Sequence, residues 1–83
     1  MDSLTEDKEG KMLTVYGAQW CKFCKKLKDY LNVKGIEFEF VDIDQEIDRS
    51  VVLIERGYQT IPQTFIGEVN IGGHDDTIAY LER

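Results

Sequence analysis

Two strand-like runs separated by a helical pattern leave few ways to fold the first half of this chain. "KMLTVY" (11–16) is short and almost continuously apolar, the mark of a strand buried on both faces. The spacing that follows is helical. Phe23, Leu27, Tyr30 and Leu31 share one face, and Lys22, Lys25, Lys26 and Lys28 largely occupy the rest. Gly35 is placed to end this helix. "IEFEFVDI" (36–43) then alternates, with Phe38 and Phe40 to one side and Glu37 and Glu39 to the other. One charged face suits an edge strand. Two strands joined by a helix run parallel, with a right-handed crossover.

In the second half, Asp44 can cap a helix whose apolar stripe is Ile47, Val51 and Ile54, closed by Gly57. After Pro62, "QTFIGEVNI" reads as two short strands around a Gly67-Glu68 turn. Gly72-Gly73 breaks the chain. Asp75 and Asp76 can cap a last short helix, with Ile78 and Leu81 facing inward. The order is β-α-β-α-β-β-α, an α/β fold with a mixed four-stranded sheet. Residues 1–10 read as a flexible acidic tail and 11–83 as one domain, since 83 residues support a single core.

A net charge of −6 argues against nucleic acid and anionic membranes as partners, because both need a basic footprint. No apolar run approaches the length of a membrane span. The acidic start "MDSLTEDKEG" lacks the basic and apolar regions of a secretory signal. A reducing cytoplasm is the expected compartment, and a monomer the expected state.

Both cysteines, Cys21 and Cys24, fall where the first strand hands over to the first helix. A sulfur at a helix start meets unpaired N–H groups and the positive end of the dipole. Both favour negative charge on Cys21, the expected nucleophile, and Lys22 and Lys25 add positive charge nearby. Cys24, one turn further in, is placed to resolve a mixed disulfide formed on Cys21. Other roles fit less well. A structural zinc site needs four ligands, and the chain offers two cysteines and one histidine, His74. A disulfide closing so small a loop restrains the unfolded chain little. Two inert buried cysteines would not need a helix start. The lysine cluster reads either as an ordinary solvated face or as a means of attracting anionic partners to the sulfur.

The C-x-x-C helix start, "QTIPQTFI" (59–66) and "IGGHDD" (71–76) stand in an order and spacing that closely resemble a glutaredoxin, from about Lys11 to Leu81. The resemblance implies a thioredoxin fold with sheet order 2-1-3-4 and a cis peptide at Ile61-Pro62. The backbone of Ile61 would lie beside Cys21 and could pair with an extended substrate. The resemblance also implies a site for glutathione, a co-substrate and not a bound cofactor, along Lys22, Phe23, Gln59, Thr60, Ile61, Pro62, Gly73, His74, Asp75 and Asp76. Asp75 and Asp76 present N–H groups to a carboxylate, with the Asp76 side chain toward the ligand's amino group. Both aspartates equally suit the plain role of helix caps. His74 is the variable residue of its motif and takes no catalytic role. Two departures from the family pattern bear on glutathione contacts more than on fold. Ala18 stands where many members carry lysine, leaving Gln59, Gln19 or Lys22 as substitutes. Phe23 keeps the ring of the usual C-P-Y-C tyrosine without its hydroxyl.

The implied activity is thiol–disulfide exchange. Cys21 attacks a protein disulfide or glutathione mixed disulfide, Cys24 resolves the protein adduct, and glutathione restores both thiols. Ribonucleotide reductase is a family-level candidate for receiving the electrons. Two alternatives carry different discriminators. A glutaredoxin-like redoxin would take electrons from thioredoxin reductase, and Trp20 and Ala18 lean that way. A cluster-binding glutaredoxin would hold iron–sulfur between two subunits through Cys21 and glutathione, against which Cys24 competes by closing the disulfide.

Overall fold

The computed structural model describes residues 13–82; the expected tail at 1–10, together with Lys11 and Met12, lies outside them. Seven elements follow one another: β1 (Leu13–Gly17), α1 (Lys22–Lys34), β2 (Phe38–Asp42), α2 (Ile47–Glu55), β3 (Gln63–Ile66), β4 (Val69–Gly72) and α3 (His74–Glu82). The sheet order is β2-β1-β3-β4. β1 and β2 are parallel, from Leu13 opposite Phe38 to Gly17 opposite Asp42. β3 runs antiparallel to β1, with Gln63 opposite Tyr16, and pairs with β4 as a hairpin. This is the thioredoxin fold.

The main core lies between the sheet and the pair α1/α3. Leu13 and Val15 of β1 meet Leu27 and Leu31 of α1, and Ile78 and Leu81 of α3 pack against them. Tyr30 ties the two helices together, its hydroxyl donating to Glu82 Oε2 at 2.7 Å. The opposite face of the sheet is covered more thinly. There Phe65 meets Tyr16 and Tyr58 edge to face, with ring centroids 5.5 and 5.7 Å away. Thr14 and Tyr16 remain half-buried on this side, so β1 is fully buried on one face only. α1 ends at Gly35 (φ 73°), where the N–H groups of Gly35 and Ile36 reach back to Asn32 and Leu31. Gly57 (φ 82°) does the same after α2, so both expected helix stops hold.

Four local expectations are corrected. Phe23 does not join the inward face of α1: it is 54% exposed, and Cys24 takes the buried place three residues before Leu27. The stripe Ile47, Val51 and Ile54 faces outward, while Ser50 and Leu53 are buried. Arg49 fixes this rotation by holding Glu39 of β2, with Nη2 3.0 Å from Oε1. Asp44 does not cap α2. The helix starts at Ile47, and the preceding turn is held by Asp42, whose Oδ1 accepts from the Asp44 N–H at 2.9 Å. Asp75 and Asp76 sit in the first turn of α3 and not ahead of it. The cap position belongs to Gly73, whose carbonyl accepts from the N–H and Oγ1 of Thr77.

Candidate active site

The junction of β1 and α1 places both sulfurs at one end of the sheet. Cys21 is the N-cap of α1 and its Sγ accepts the N–H of Cys24 at 3.2 Å. An N–H aimed at sulfur from a helix's first turn binds more strongly as the sulfur gains negative charge. Cys21 is 8% exposed and Cys24 fully buried. Of the two residues only Cys21 keeps any exposure, which suits an attacking role for it and a resolving role for Cys24. Burial first, then the hydrogen bond and charge of Cys21, push the Cys24 thiol up to about 12, while the Ala18 backbone and the Lys28 ammonium pull the other way.

Cys24 has its place because Gly17 gives way. A Cβ on Gly17 would lie 2.5 Å from Cys24 Sγ and 3.0 Å from Phe40 Cε1. Ala18 is fully buried in the cluster with Cys21 and Cys24, against which Phe40, Ile43 and Ile61 pack. It forms the floor under the sulfurs.

The remaining expected residues gather around this pair to different degrees. The Ile61-Pro62 peptide is cis, and the Ile61 carbonyl lies 3.9 Å from Cys21 Sγ, within reach of its S–H. A Cβ on Gly73 would rest 3.5 Å from the Pro62 carbonyl, so the segment before β3 and the start of α3 adjoin. Phe23 meets the His74 ring at 5.5 Å between centroids, bridging the starts of α1 and α3. His74 Nδ1 pairs with Asp75 Oδ1 at 2.8 Å. Asp76 lies against Gly72, where a Cβ would stand 2.5 Å from its Oδ2. Thr60 is exposed, and its Oγ1 accepts from Gln63 Nε2 at 3.1 Å. Gln59 and Lys22 are exposed.

Sequence reasoning missed the carboxylates behind the site. Gln19 Nε2 donates to Asp42 Oδ2 at 3.0 Å, and the Trp20 indole N–H donates to Asp44 Oδ2 at 2.8 Å. The two residues before Cys21 are thus tied to the end of β2 and to the turn that follows it. The Asp44 N–H, then the Gln19 amide, hold the Asp42 carboxyl below the usual aspartate range. The only available signal was the parallel register, which sets Asp42 opposite Gly17. Lys28 was also misplaced. Its Nζ sits 4.0 Å over the Phe40 ring and acts on both Cys24 and Asp42. Among the described residues, no three His, Cys, Asp or Glu side chains converge to hold a metal ion, and no helix is long and apolar enough to cross a membrane.

A thiol at a helix N-cap, with a second thiol buried one turn behind it on this sheet, is the arrangement of a thioredoxin-fold thiol–disulfide oxidoreductase. Comparison with known proteins narrows the class. The glutaredoxin family model matches residues 13–71. A curated glutaredoxin from Solanum lycopersicum is 39% identical, the match covering 93% of this chain and 78% of the relative. The crystal structure of wheat glutaredoxin superposes with a TM-score of 0.71 at 31% identity, covering 98% of this chain and 83% of that one. A buckwheat glutaredoxin–glutathione complex gives a TM-score of 0.71 at 25% identity, covering 96% and 79%. The chain belongs to the glutaredoxin family.

Proposed function

We propose that this chain is a dithiol glutaredoxin that uses glutathione to reduce protein disulfides and glutathione mixed disulfides. The observation that carries the proposal is the Cys24 N–H pointing at Cys21 Sγ, with Ile61 beside it. The buckwheat relative solved with glutathione supports the choice of reductant. In the first step Cys21 thiolate attacks one sulfur of the substrate disulfide and expels the other, which takes up a proton. Cys24 then attacks the Cys21 sulfur, forming Cys21–Cys24 and releasing the second substrate thiol. Two glutathiones reverse this. One opens the disulfide by bonding to Cys21, and the other removes it as glutathione disulfide.

The cause of the raised Cys24 pKa gives this sequence its order. Two of the effects holding the Cys24 proton in place are a hydrogen bond to Cys21 and the charge on Cys21. Both disappear once Cys21 is capped as a mixed disulfide. Cys24 therefore loses its proton more readily after the first attack than before it.

Ile61, Pro62 and Gly73 would line the backbone of glutathione, Lys22, Gln59 and Thr60 its glycyl end, and Phe23, His74, Asp75 and Asp76 its γ-glutamyl end. Ribonucleotide reductase is a candidate electron acceptor, and a reducing cytoplasm is the compartment this chemistry needs. A second reading, reduction by thioredoxin reductase, draws on Trp20, which is 69% exposed beside Cys21. The deciding experiment measures turnover of a small mixed disulfide with NADPH, glutathione and glutathione reductase, then with thioredoxin reductase in place of the glutathione system. Turnover in the first arm that is absent in Cys21→Ser supports the glutathione reading. Turnover only in the second overturns it.

A further inference from the structure

The outward face of α2 is apolar, and among the described residues nothing packs over it. Ile47, Val51 and Ile54 are 65%, 38% and 77% exposed. Their spacing puts them on one side of the helix, along about 10 Å of its length. The inward side is already served by Ser50 and Leu53, and Arg49 ties this orientation to β2 through Glu39. Turning the stripe inward would expose Leu53 and break the Arg49–Glu39 pair. Isolated exposed aliphatics need no explanation, but three in a row on one helix face mark a contact surface.

The charges beside the stripe say what it fits. Asp48 and Glu55, seven residues apart, lie on the same edge of it, and both are exposed. Among the described residues, the ion pairs of α2 all belong to Arg49, so this edge is negative and uncompensated. A second copy of the chain is a poor occupant. A two-fold antiparallel pairing of α2 helices brings like edges together, setting Asp48 and Glu55 of each copy against those of the other. An anionic lipid surface is repelled for the same reason.

We propose that the outward face of α2 docks a partner protein through an apolar strip bordered by lysine or arginine side chains. The strip covers Ile47, Val51 and Ile54, and its basic edge meets Asp48 and Glu55. With three aliphatic anchors the contact belongs to the weak, transient class. Its position gives it a use. The stripe begins three residues after Asp44, whose carboxylate holds the Trp20 indole next to Cys21. A partner held on α2 would be tethered to the molecule that carries Cys21, which raises the effective concentration of its disulfide there. The docking itself does not depend on which reductant serves the enzyme.

The test uses the full chain, isotope-labelled for amide NMR, and two synthetic helical peptides with the same leucine face. One is edged with lysine, the other with glutamate. The lysine-edged peptide should bind saturably, with shifts concentrated in residues 47–55. Ile54→Lys should weaken it by about tenfold, the equivalent of one buried aliphatic side chain. The double reversal Asp48→Lys/Glu55→Lys should transfer the preference to the glutamate-edged peptide. Ile54 is exposed and lies outside the cluster that surrounds the sulfurs, so small-disulfide turnover by Ile54→Lys should equal wild type and show the fold to be intact. Three results would overturn the proposal: shifts spread over the acidic surface without saturation, equal binding by Ile54→Lys, or self-association of the free chain that Ile54→Lys abolishes.

Discussion

Replacing Gly17 with alanine adds a methyl group where the molecule has no room. The new carbon would stand 2.5 Å from Cys24 Sγ, 3.0 Å from Phe40 Cε1 and 3.1 Å from Cys24 Cβ. Cys24 is fully buried, and Gly17 is pinned in β1 by its pairing with β2. Overpacking of this kind costs roughly 1–3 kcal/mol. Against it, alanine reduces the freedom of the unfolded chain and returns about 0.4–1 kcal/mol. No backbone penalty arises, because Gly17 is not among the positive-φ glycines. The net expectation is a loss of about 0–2.6 kcal/mol for the reduced protein. Urea denaturation at neutral pH measures it. The same substitution in a Cys24→Ala background has lost the closest clash, so its cost should fall by on the order of 1 kcal/mol. A Gly17→Ala that costs the same in both backgrounds would refute the claim that Gly17 exists to seat Cys24.

Other outcomes follow from the same site. Cys24→Ser should leave protein substrates trapped as mixed disulfides on Cys21, visible as a mass adduct, while turnover of glutathione mixed disulfides persists. A variant that releases protein substrate at the wild-type rate would contradict the resolving role. Asp42 titrates below its usual value when folded. Its contribution to stability is therefore present above the unfolded aspartate pKa of about 3.9 and lost as pH falls through the lower folded value. The stability gap between wild type and Asp42→Asn should be constant above about pH 5 and close as the solution becomes more acid. Trp20 is the only tryptophan of the chain, so fluorescence reports directly on its tie to Asp44. Asp44→Ala should lower its anisotropy and raise its quenching by acrylamide, and unchanged values would mean the indole is held by something else.

Much of the fold was legible because its signals are local. Gly35 and Gly57 stop helices within a turn of their own residues, and Gly67-Glu68 joins two strands of opposite direction. The edge position of β2 showed in the alternation of Phe38 and Phe40 with Glu37 and Glu39. The C-x-x-C pair announced its own place, since only the junction of a strand and a helix separates those patterns. The misread parts depend on partners far along the chain. α2 carries two apolar directions, Ile47/Val51/Ile54 and Val52/Leu53. What chooses between them is Arg49 meeting Glu39, a contact no helical periodicity contains. Asp44 resembles a helix cap until Trp20, 24 residues earlier, claims its carboxylate. Phe23 fits the apolar face of α1 by spacing. The buried place goes to Cys24 because a small thiol packs against Gly17, and the phenyl ring turns toward His74.

The division of labour between the two sulfurs is tested most directly by competition for an alkylating agent. Fully reduced wild type at pH 8 would be given less than one equivalent of iodoacetamide, and the product digested and mapped by mass spectrometry. A buried thiol pushed up to about 12 presents thiolate at on the order of one part in ten thousand at that pH. The account predicts carbamidomethyl groups on Cys21 and essentially none on Cys24. Label on Cys24 first, or on both equally, would contradict the assignment of Cys21 as nucleophile and Cys24 as the sulfur held in reserve.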